Sequence, residues 1–343
     1  MNRLDRAGMA MLPSYMAPRW DHETRAILDV LGDRYAPGGD YRELQPLDDA
    51  AFDTLRDDLA SLAPSLVQSA EYLATSLAAA GCGVLMPDLG LAALDPQTRA
   101  RLVFALSLCL GRPTASDHKR RQIIWDVAPR AVEAGGLPTF STHDREAGFH
   151  TDSQYYPMPE RYFILYVMTA ARCGGGISRL CDGRALQASL DVTETRWMLD
   201  LLRGRPLPFR VPGVFRTTDD PGIAQASVAP IFSAEPAIRY RRDTLLDGLS
   251  VFQQYCDDDV LRAVSALDRE IEHTRHVVEF AMPGDTLLLV DNHQALHART
   301  AFRDARRHLL RIRMRGTEGA RPCPFPMISS RIEGAAAAAR PRR

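Results

Sequence analysis

Residues 148–153 read Gly-Phe-His-Thr-Asp-Ser, and this short stretch decides how the rest of the chain is interpreted. Side chains two residues apart lie on the same side of an extended chain, so His150 and Asp152 can bind one metal ion together. A third ligand has to come from elsewhere, and the best placed is His297, at the end of an apolar run in residues 283–300, PGDTLLLVDNHQALHART. Two histidines and one carboxylate leave three metal positions open, as in non-haem Fe(II) oxygenases.

An isolated His-x-Asp pair is more often a surface pair in a turn than a metal site, so these residues need support from the rest of the chain. His293, four residues before His297, is also an alternative third ligand. That support begins with residues 306–311, Arg-Arg-His-Leu-Leu-Arg. On a strand, Arg307, Arg311 and Arg313 share one face, and arginines in such a place need an anionic partner or water.

The remaining pattern predicts a mainly β fold with flanking helices. Apolar residues recur at helical spacing over residues 49–80, and Asp95-Pro96 begins a further helix that ends at Gly111. Later helices are predicted at 194–203 and 258–273, where Asp257 is a candidate helix cap. Short strands are predicted at 81–89, 122–127, 162–168, 208–211, 237–240, 276–280, 286–290 and 309–313. Many short strands joined by turns indicate a β-sandwich or jelly roll rather than a doubly wound parallel sheet.

Taken together, these motifs resemble those of the clavaminate synthase-like and taurine dioxygenase-like oxygenases, which use Fe(II) and 2-oxoglutarate. The resemblance covers about residues 120–315 and rests on GFHTDSQYY (148–156), GGGIS (174–178), the 283–300 segment and RRHLLR (306–311). It implies a double-stranded β-helix, or jelly-roll, core in an α+β chain. No Gly-Lys-Ser/Thr follows the glycines at 174–176, so we interpret them as a tight turn rather than a phosphate loop.

The resemblance also implies roles for individual residues. His150, Asp152 and His297 would be the Fe(II) ligands and the catalytic centre, with 2-oxoglutarate and O2 as cosubstrates. Arg307 would bind the distal carboxylate of 2-oxoglutarate, and Ser178 would donate a hydroxyl to it. Arg311 matches a second family arginine that faces substrate or cosubstrate, and a structural role for it is equally open. Family members that halogenate lack the carboxylate ligand, so Asp152 favours oxygenation.

Six further residues are candidate substrate contacts, each with packing as the alternative. They lie directly after the metal motif, on a neighbouring strand and in the predicted strand 237–240: Gln154, Tyr155, Tyr156, Trp125, Asp126 and Arg239. The polar, Gly- and Pro-rich texture of residues 213–250 is typical of a lid over a site.

The domain organisation follows from the distance between the metal ligands along the chain. Most of the chain has to close around one ion, so residues 1–343 are predicted to form a single catalytic domain. Its parts would be an irregular segment (1–45), an outer helical layer (46–115), a jelly-roll core (116–316) and a disordered tail (330–343).

Composition excludes several classes of protein. Arginine and lysine number 42 against 43 acidic residues, which argues against a nucleic-acid or membrane-surface binder. Six scattered cysteines without a Cys-x-x-Cys pair indicate free thiols in a reducing compartment, and with no signal-like segment we predict a cytoplasmic protein. The sequence does not indicate an oligomeric state.

The predicted function is oxidation of an unactivated C–H bond in a small molecule, by hydroxylation, desaturation or cyclisation. The predicted substrate is an amino acid or derivative, free or tethered to a carrier, in specialised metabolism. Two alternatives remain: a non-haem iron oxidase that needs no 2-oxoglutarate, and a non-catalytic jelly-roll binding protein.

Overall fold

The structure is a computed structural model that describes residues 8–13, 19–32, 39–116, 121–130, 139–218, 220, 222–317 and 325–331. The helices within these ranges are α1 (Thr24–Leu31), α2 (Asp49–Leu62), α3 (Pro64–Ala80), α4 (Pro96–Leu110), α5 (Gly183–Ser189), α6 (Arg196–Gly204), α7 (Arg242–Val251) and α8 (Asp258–His273). The strands are β1 (Met9–Met11), β2 (Gly83–Met86), β3 (Arg112–Pro113), β4 (Trp125–Val127), β5 (Ala147–His150), β6 (Tyr162–Thr169), β7 (Ser178–Asp182), β8 (Leu207–Arg210), β9 (Ile223–Ala229), β10 (Val277–Phe280), β11 (Leu287–Asp291), β12 (Ala295–Arg299), β13 (His308–Arg315) and β14 (Met327–Arg331).

Two sheets form the centre of the fold. The larger has the order β1-β2-β11-β6-β13-β3, with β4 also paired to β13, and the smaller has the order β10-β7-β12-β5. All of these pairings among the described strands are antiparallel except β1 with β2. A buried cluster fills the space between the sheets, with Leu288 and Phe163 from one and Leu180 and Phe280 from the other. This arrangement confirms the predicted mainly β core with flanking helices.

Strand β11 explains why residues 287–290 are uniformly apolar. Leu288 and Val290 belong to the cluster between the sheets, whereas Leu287 and Leu289 pack in a second cluster with α1–α4 on the outer face. Both faces of the strand are therefore buried, which requires an unbroken apolar run instead of alternation. The four N-terminal helices thus cover the outside of the larger sheet.

The remaining helices pack on the opposite side of the molecule. Helices α5–α8 share a buried cluster with Leu296 of β12 and Cys181 of β7. A small third sheet, β14-β9-β8, lies beside α7. These elements surround the segment that carries Tyr155 and thereby form one wall of the region around the metal motif.

Helix ends follow the local sequence closely. The side chains of Asp48, Asp95 and Asp257 each accept backbone N–H groups at the starts of α2, α4 and α8. The helical pattern at 49–80 is two helices rather than one, because Pro64 cannot continue the first helix and instead occupies the start of the second.

Several predictions differ from the structure. The predicted irregular segment 1–45 contains β1 and α1, whose apolar residues pack against the larger sheet and its helices. Residues 237–240 are not a strand of any sheet, because their backbone groups bond to loops at Ile231, His293 and Thr151 instead. The predicted lid at 213–250 includes strand β9 and helix α7, so much of it is regular structure; its movement stays a prediction. Residues 332–343 of the predicted tail lie outside the described residues.

Among the helices that the structure describes, none has both the length and the apolar character needed to cross a bilayer.

Candidate metal centre

The two predicted histidine ligands face each other across neighbouring strands. His150 ends β5 and is paired in register with His297 in β12. Their ring centroids are 4.1 Å apart. Asp152 joins them, with its Oδ1 3.8 Å from His150 Nε2 and 3.9 Å from His297 Nε2. One ligand atom from each of the three residues lies within 4.8 Å of the others, which is close enough for all three to bind a single ion.

The local hydrogen bonds prepare these side chains for a metal. The Nδ1 of His150 lies 2.8 Å from the carbonyl oxygen of Gly148. A carbonyl only accepts, so Nδ1 carries the proton and the lone pair of Nε2 faces Asp152 and His297. The residues therefore fit a divalent ion such as Fe(II), with two neutral nitrogen donors and one carboxylate.

Burial sets the charge state of the centre. It lowers the pKa of His150 well below the ordinary histidine value and that of His297 to about 4, in both cases with a contribution from the positive charge of Arg241. Burial alone would raise the pKa of Asp152, but Arg311 and His297 reverse that effect and keep it below its ordinary value. At neutral pH the centre thus presents two neutral imidazoles and an ionised carboxylate, as metal binding requires.

The backbone at Asp152 differs from the extended strand that we expected from the His-x-Asp spacing. It lies in a turn beyond the end of β5, not on a strand, and the following residue, Ser153, has a φ of 56°. The turn is held by Asn292, whose side chain accepts from Asp152 N at 2.7 Å and donates to Asp152 O at 3.0 Å. The same amide donates to Glu160 O at 2.8 Å, so Asn292 ties both ends of this loop together.

The arginines of β13 lie against this turn. Arg311 Nη1 is 3.0 Å from Asp152 Oδ2 and donates to Oδ1 at 3.2 Å. Arg313 donates to the hydroxyl of Ser153 and to Ser116 O, and its guanidinium is 3.7 Å from Glu160. Arg311 therefore orients the metal-binding carboxylate, while Arg313 secures the turn behind it.

A cavity joins the metal ligands to the predicted cosubstrate residues. His150 and His297 line it together with Ser178, Arg307 and Arg311. Its other walls include apolar side chains that sequence reasoning did not single out: Val127, Phe140, Phe163, Leu165, Leu180, Leu288 and Leu309. The structure thus brings five of the predicted site residues to one space with apolar walls.

Arg307 is the residue in this cavity with the clearest need for an anion. It is buried, its Nη1 has no hydrogen-bond acceptor among the described residues, and its guanidinium lies 4.9 Å from the Phe302 ring. Burial, together with the charge of Arg299, lowers the pKa of Arg307 to about 10. Gly176 passes close by, and a Cβ there would lie 3.1 Å from Arg307 Nε, so the glycine turn makes room for this side chain.

Three of the candidate substrate residues lie in the wall beside the metal motif. The Tyr155 ring is buried and stacks on Phe215, with 5.5 Å between centroids. Burial raises the pKa of Tyr155 to about 12, and the charges of Arg313, Arg241 and Asp152 act on its hydroxyl. Gln154 donates to the Thr244 hydroxyl at 2.9 Å, and Tyr156 donates to Phe215 O at 3.0 Å, so both of these side chains connect segments of the wall.

Two other candidate substrate residues, Trp125 and Asp126, are neighbours in β4 but have different surroundings. Trp125 is opposite Arg311 in the ladder, so both side chains project from the same face, and its buried Nε1 has no acceptor among the described residues. Asp126 instead accepts from Tyr41 at 2.6 Å, from Arg42 at 2.8 Å and from His308 Nε2 at 2.7 Å. Its contacts therefore join the N-terminal layer to β13 and leave no carboxylate oxygen for a substrate.

Arg239 is fully buried among backbone carbonyls. Its guanidinium donates to the carbonyl oxygens of Gln154 at 2.9 Å, Tyr156 at 2.7 Å and Pro157 at 2.9 Å. These bonds hold the chain just after the metal motif, so the structure gives this candidate contact a packing role.

Two residues that position the site, Asn292 and Arg299, were not identified from the sequence. Asn292 lies in the Asp-Asn-His turn after β11, where only its polar character in an apolar stretch could have drawn attention. Arg299 donates to the carbonyl oxygens of Phe140 at 3.3 Å and His143 at 3.1 Å, and so positions the loop whose Phe140 ring contacts His150. Such backbone clamps depend on tertiary structure that local patterns do not contain.

A jelly roll with two histidines and a carboxylate beside a buried arginine defines the class of 2-oxoglutarate-dependent non-haem iron oxygenases. In agreement, residues 27–313 match the profile of a family described as taurine catabolism dioxygenase TauD, TfdA family. This chain belongs to that family, which confirms the predicted dioxygenase class with iron and 2-oxoglutarate.

Solved structures share the fold at low identity. An asparagine oxygenase in complex with Fe(II), 2S,3S-3-hydroxyasparagine and succinate is 14% identical, with a TM-score of 0.61 over 90% of this chain and 93% of that one. The non-haem iron oxygenase OrfP in complex with Fe and alpha-ketoglutaric acid is 16% identical, with a TM-score of 0.58 over 90% and 94%. OrfP with Fe, succinate and (3S)-hydroxy-L-Arg is 15% identical, with a TM-score of 0.56 over the same shares.

Proposed function

We propose that the chain hydroxylates a C–H bond of a small amino acid or amino acid derivative, with 2-oxoglutarate as cosubstrate at the His150–Asp152–His297 centre. The observation that carries the proposal is the cavity in which the metal ligands meet Arg307, a buried arginine whose Nη1 has no acceptor among the described residues. When bound, Fe(II) supplies the oxidative chemistry, in which O2, 2-oxoglutarate and the substrate give hydroxylated product, succinate and CO2.

The protein's own residues bind and orient the reactants. Arg307 pairs with the distal carboxylate of 2-oxoglutarate and Ser178, on the same cavity wall, donates its hydroxyl. Apolar walls from Phe163, Leu288 and Leu309 exclude water and strengthen this ion pair. Arg311 holds the side chain of Asp152 at the metal, and Asn292 holds its backbone.

An amino acid substrate is supported by the structural neighbours, whose complexes contain hydroxylated asparagine and arginine. The substrate side of the centre would comprise Arg311, which contacts Asp152, Trp125, which is opposite Arg311 in the ladder, and Tyr155, whose hydroxyl feels the charge of Asp152. A carrier-tethered substrate, a role in specialised metabolism and a cytoplasmic location remain predictions from the sequence.

The proposal is tested by measuring succinate and O2 consumption with a panel of free amino acids. We expect at least one amino acid to stimulate succinate formation in step with O2 uptake. O2 uptake without succinate would favour the oxidase that needs no 2-oxoglutarate. If Fe(II) and 2-oxoglutarate together gave no visible charge-transfer band under anaerobic conditions, the binding-protein alternative would stand.

Arg307→Leu provides a sharper test of the cosubstrate site. Loss of one partner from a buried charge pair costs about 2–5 kcal/mol, so KM for 2-oxoglutarate should rise at least about 30-fold. Metal binding in the absence of 2-oxoglutarate should be unchanged, because Arg307 does not contact the ligands. The matched control is Arg306→Leu, since that neighbouring arginine is 66% exposed, pairs with Asp304 and does not line the cavity; an equal KM effect in both variants would contradict the assignment.

A further inference from the structure

A further arginine, Arg241, lies beside the metal ligands without lining the cavity that contains Arg307. The backbone of Arg241 forms an isolated β-bridge with His150. Its guanidinium carbon lies 4.1 Å from the centroid of the Phe140 ring, and that ring meets the His150 ring edge-on at 4.8 Å. One phenyl ring is therefore all that separates the charge of Arg241 from the imidazole of a metal ligand.

The guanidinium of Arg241 has a free donor edge. Its Nε and Nη2 each donate to a carboxylate oxygen of Asp243 at 2.7 Å. Its Nη1 has no acceptor among the residues that the structure describes. The arginine side chain is 16% exposed and that of Asp243 is 51% exposed, so the pair lies where a solute can reach it.

The charges around the centre leave no place for a cationic substrate group. The described residues that line the metal cavity include Arg179, Arg299, Arg307 and Arg311 but no carboxylate. The acids near the centre are already paired: Asp152 with Arg311, Glu160 with Arg313 and Asp243 with Arg241. A basic side chain would therefore find no free carboxylate among the described residues of this region, whereas an acidic one could bind the open edge of Arg241.

We propose that the substrate carries an acid group in addition to any α-carboxylate, and that Arg241 is the specificity residue that binds it. This inference rests on the proposed function, because it names the class of molecule that the same centre oxidises. A dicarboxylic amino acid or its derivative fits the donor edge of Arg241, since two N–H groups of a guanidinium match one carboxylate. The class differs from the asparagine and arginine compounds bound by the structural neighbours.

The experiment compares matched acids and amides on the full-length protein. With Zn(II) in place of iron and with 2-oxoglutarate present, calorimetry measures Kd for L-aspartate and L-asparagine, for L-glutamate and L-glutamine, and for L-arginine. A charge-assisted bond adds about 10- to 100-fold in affinity, so the acid of at least one pair should bind that much more tightly than its amide. The preference should shrink at high salt.

Two adjacent arginines provide the variant and its control. Arg241→Gln should abolish the preference for the acid, raising its Kd about 10- to 100-fold while the amide is unaffected. Arg242→Gln should leave the preference intact, because that side chain is 58% exposed and donates to Asp268 at 2.5 Å on the outer surface. Urea unfolding midpoints and Zn(II) affinity show that both variants fold.

The possible results separate the two proposals. Equal or weaker binding of the acids than of the amides, tighter binding of L-arginine, or a preference that survives in Arg241→Gln would each overturn the role of Arg241. Failure of all acids to bind would do the same. The oxygenase assignment fails only if the wild-type protein binds neither Fe(II) nor 2-oxoglutarate, which the anaerobic band detects independently.

Discussion

Asn292 connects the metal centre to the backbone of the opposite loop. Its amide makes bonds of 2.7 Å and 3.0 Å with the backbone of Asp152 and one of 2.8 Å with Glu160 O. Since the carboxylate itself is held by Arg311, the position of Asp152 is fixed from two directions. Groups that orient a ligand in this way are as much part of a metal site as the ligands.

Asn292→Ala should therefore weaken metal binding about 10- to 100-fold. The free energy of unfolding should fall by about 1–3 kcal/mol, because buried backbone groups lose their partners. Metal titration and urea unfolding measure the two effects. Gln225→Ala, which removes a side-chain bond to Thr217 on an exposed loop, is the control; a loss of stability without a loss of metal affinity would reduce Asn292 to a packing residue.

Asp152→Ala should abolish metal binding and leave Arg311 buried without its carboxylate. Breaking a buried ion pair by removing one partner costs about 3–5 kcal/mol. In the double variant Asp152→Ala/Arg311→Leu the unpaired charge is gone, so stability should recover while metal binding remains absent. Retention of iron by either variant would show that Asp152 is not a ligand.

His293, the alternative ligand, affects how the stability of the protein depends on pH. It lies between Asn292 and His297 in the sequence, it is buried, and its Nε2 lies 3.1 Å from Pro159 O. Burial lowers the pKa of His293 below 6.5, so the unfolded chain binds its proton first as pH falls. This histidine therefore contributes stability above pH 6.5 that is lost as pH decreases from 6.5 towards its folded pKa, by at most about 1.4 kcal/mol per pH unit.

His293→Gln should reduce the decline in stability of the metal-free protein between pH 7 and pH 5.5. Urea unfolding at the two values gives the comparison, with His273→Gln at the exposed end of α8 as control. If the wild type and His293→Gln lost the same free energy over this range, the buried histidine would not be the source of the decline.

Helix α7 and strand β8 approach each other closely at Gly248, where no side chain lies between them. A Cβ on Gly248 would lie 1.9 Å from Pro208 O, so only glycine permits this approach of helix to strand. The contact closes the wall that carries Thr244, the partner of Gln154.

Gly248→Ala should destabilise the protein by about 1–3 kcal/mol, despite the better helix propensity of alanine. Gly204→Ala, at the end of α6 with no atom near the new Cβ, should be neutral or stabilising. Thermal unfolding of both variants decides this; an unchanged Tm in Gly248→Ala would mean that α7 and β8 separate at little cost.

Elements with a strong periodic or apolar pattern could be predicted, whereas those held by tertiary contacts could not. Residues 286–290 read as a strand because both faces of β11 are buried, and Asp95-Pro96 and Asp257 marked helix starts by capping chemistry. Helix α7 and strand β9 were missed, because Gly, Pro and Asp residues around them indicate a loop when read locally.

The same distinction between predictable and unpredictable features holds for the residues of the site. The ligand set, Arg307 and Ser178 follow motifs with chemical meaning; the structure places the three ligands together and brings both histidines, Arg307 and Ser178 to one cavity. The roles of Asp126 and Arg239 could not be read from the sequence, because their partners, Tyr41 and the carbonyls after the metal motif, are distant along the chain or lie in the backbone.

For the whole molecule, the predicted single domain has a direct consequence. Strand β1 belongs to the same sheet as β13, and the N-terminal helices share one buried cluster with β6, β11 and β13. Tyr41 and Arg42 also bond to Asp126, beside the strand that carries Arg311.

We expect one cooperative urea transition in which far-UV circular dichroism, tryptophan fluorescence and loss of metal binding coincide. The three tryptophans, Trp20, Trp125 and Trp197, report on the N-terminal layer, the larger sheet and helix α6 respectively. A first transition that changed Trp20 alone, with metal still bound, would divide the chain into two units.

The pairing of His150 with His297 also determines when the centre comes into being during folding. A slip of one residue between β5 and β12 would turn one imidazole to the other face of the sheet, so the ion recognises only the correct register. The two strands are far apart in sequence, and closing so long a loop comes late in folding. Metal added to a refolding chain therefore binds only molecules whose strands have already aligned. It stabilises those molecules and leaves the rate of strand alignment unchanged.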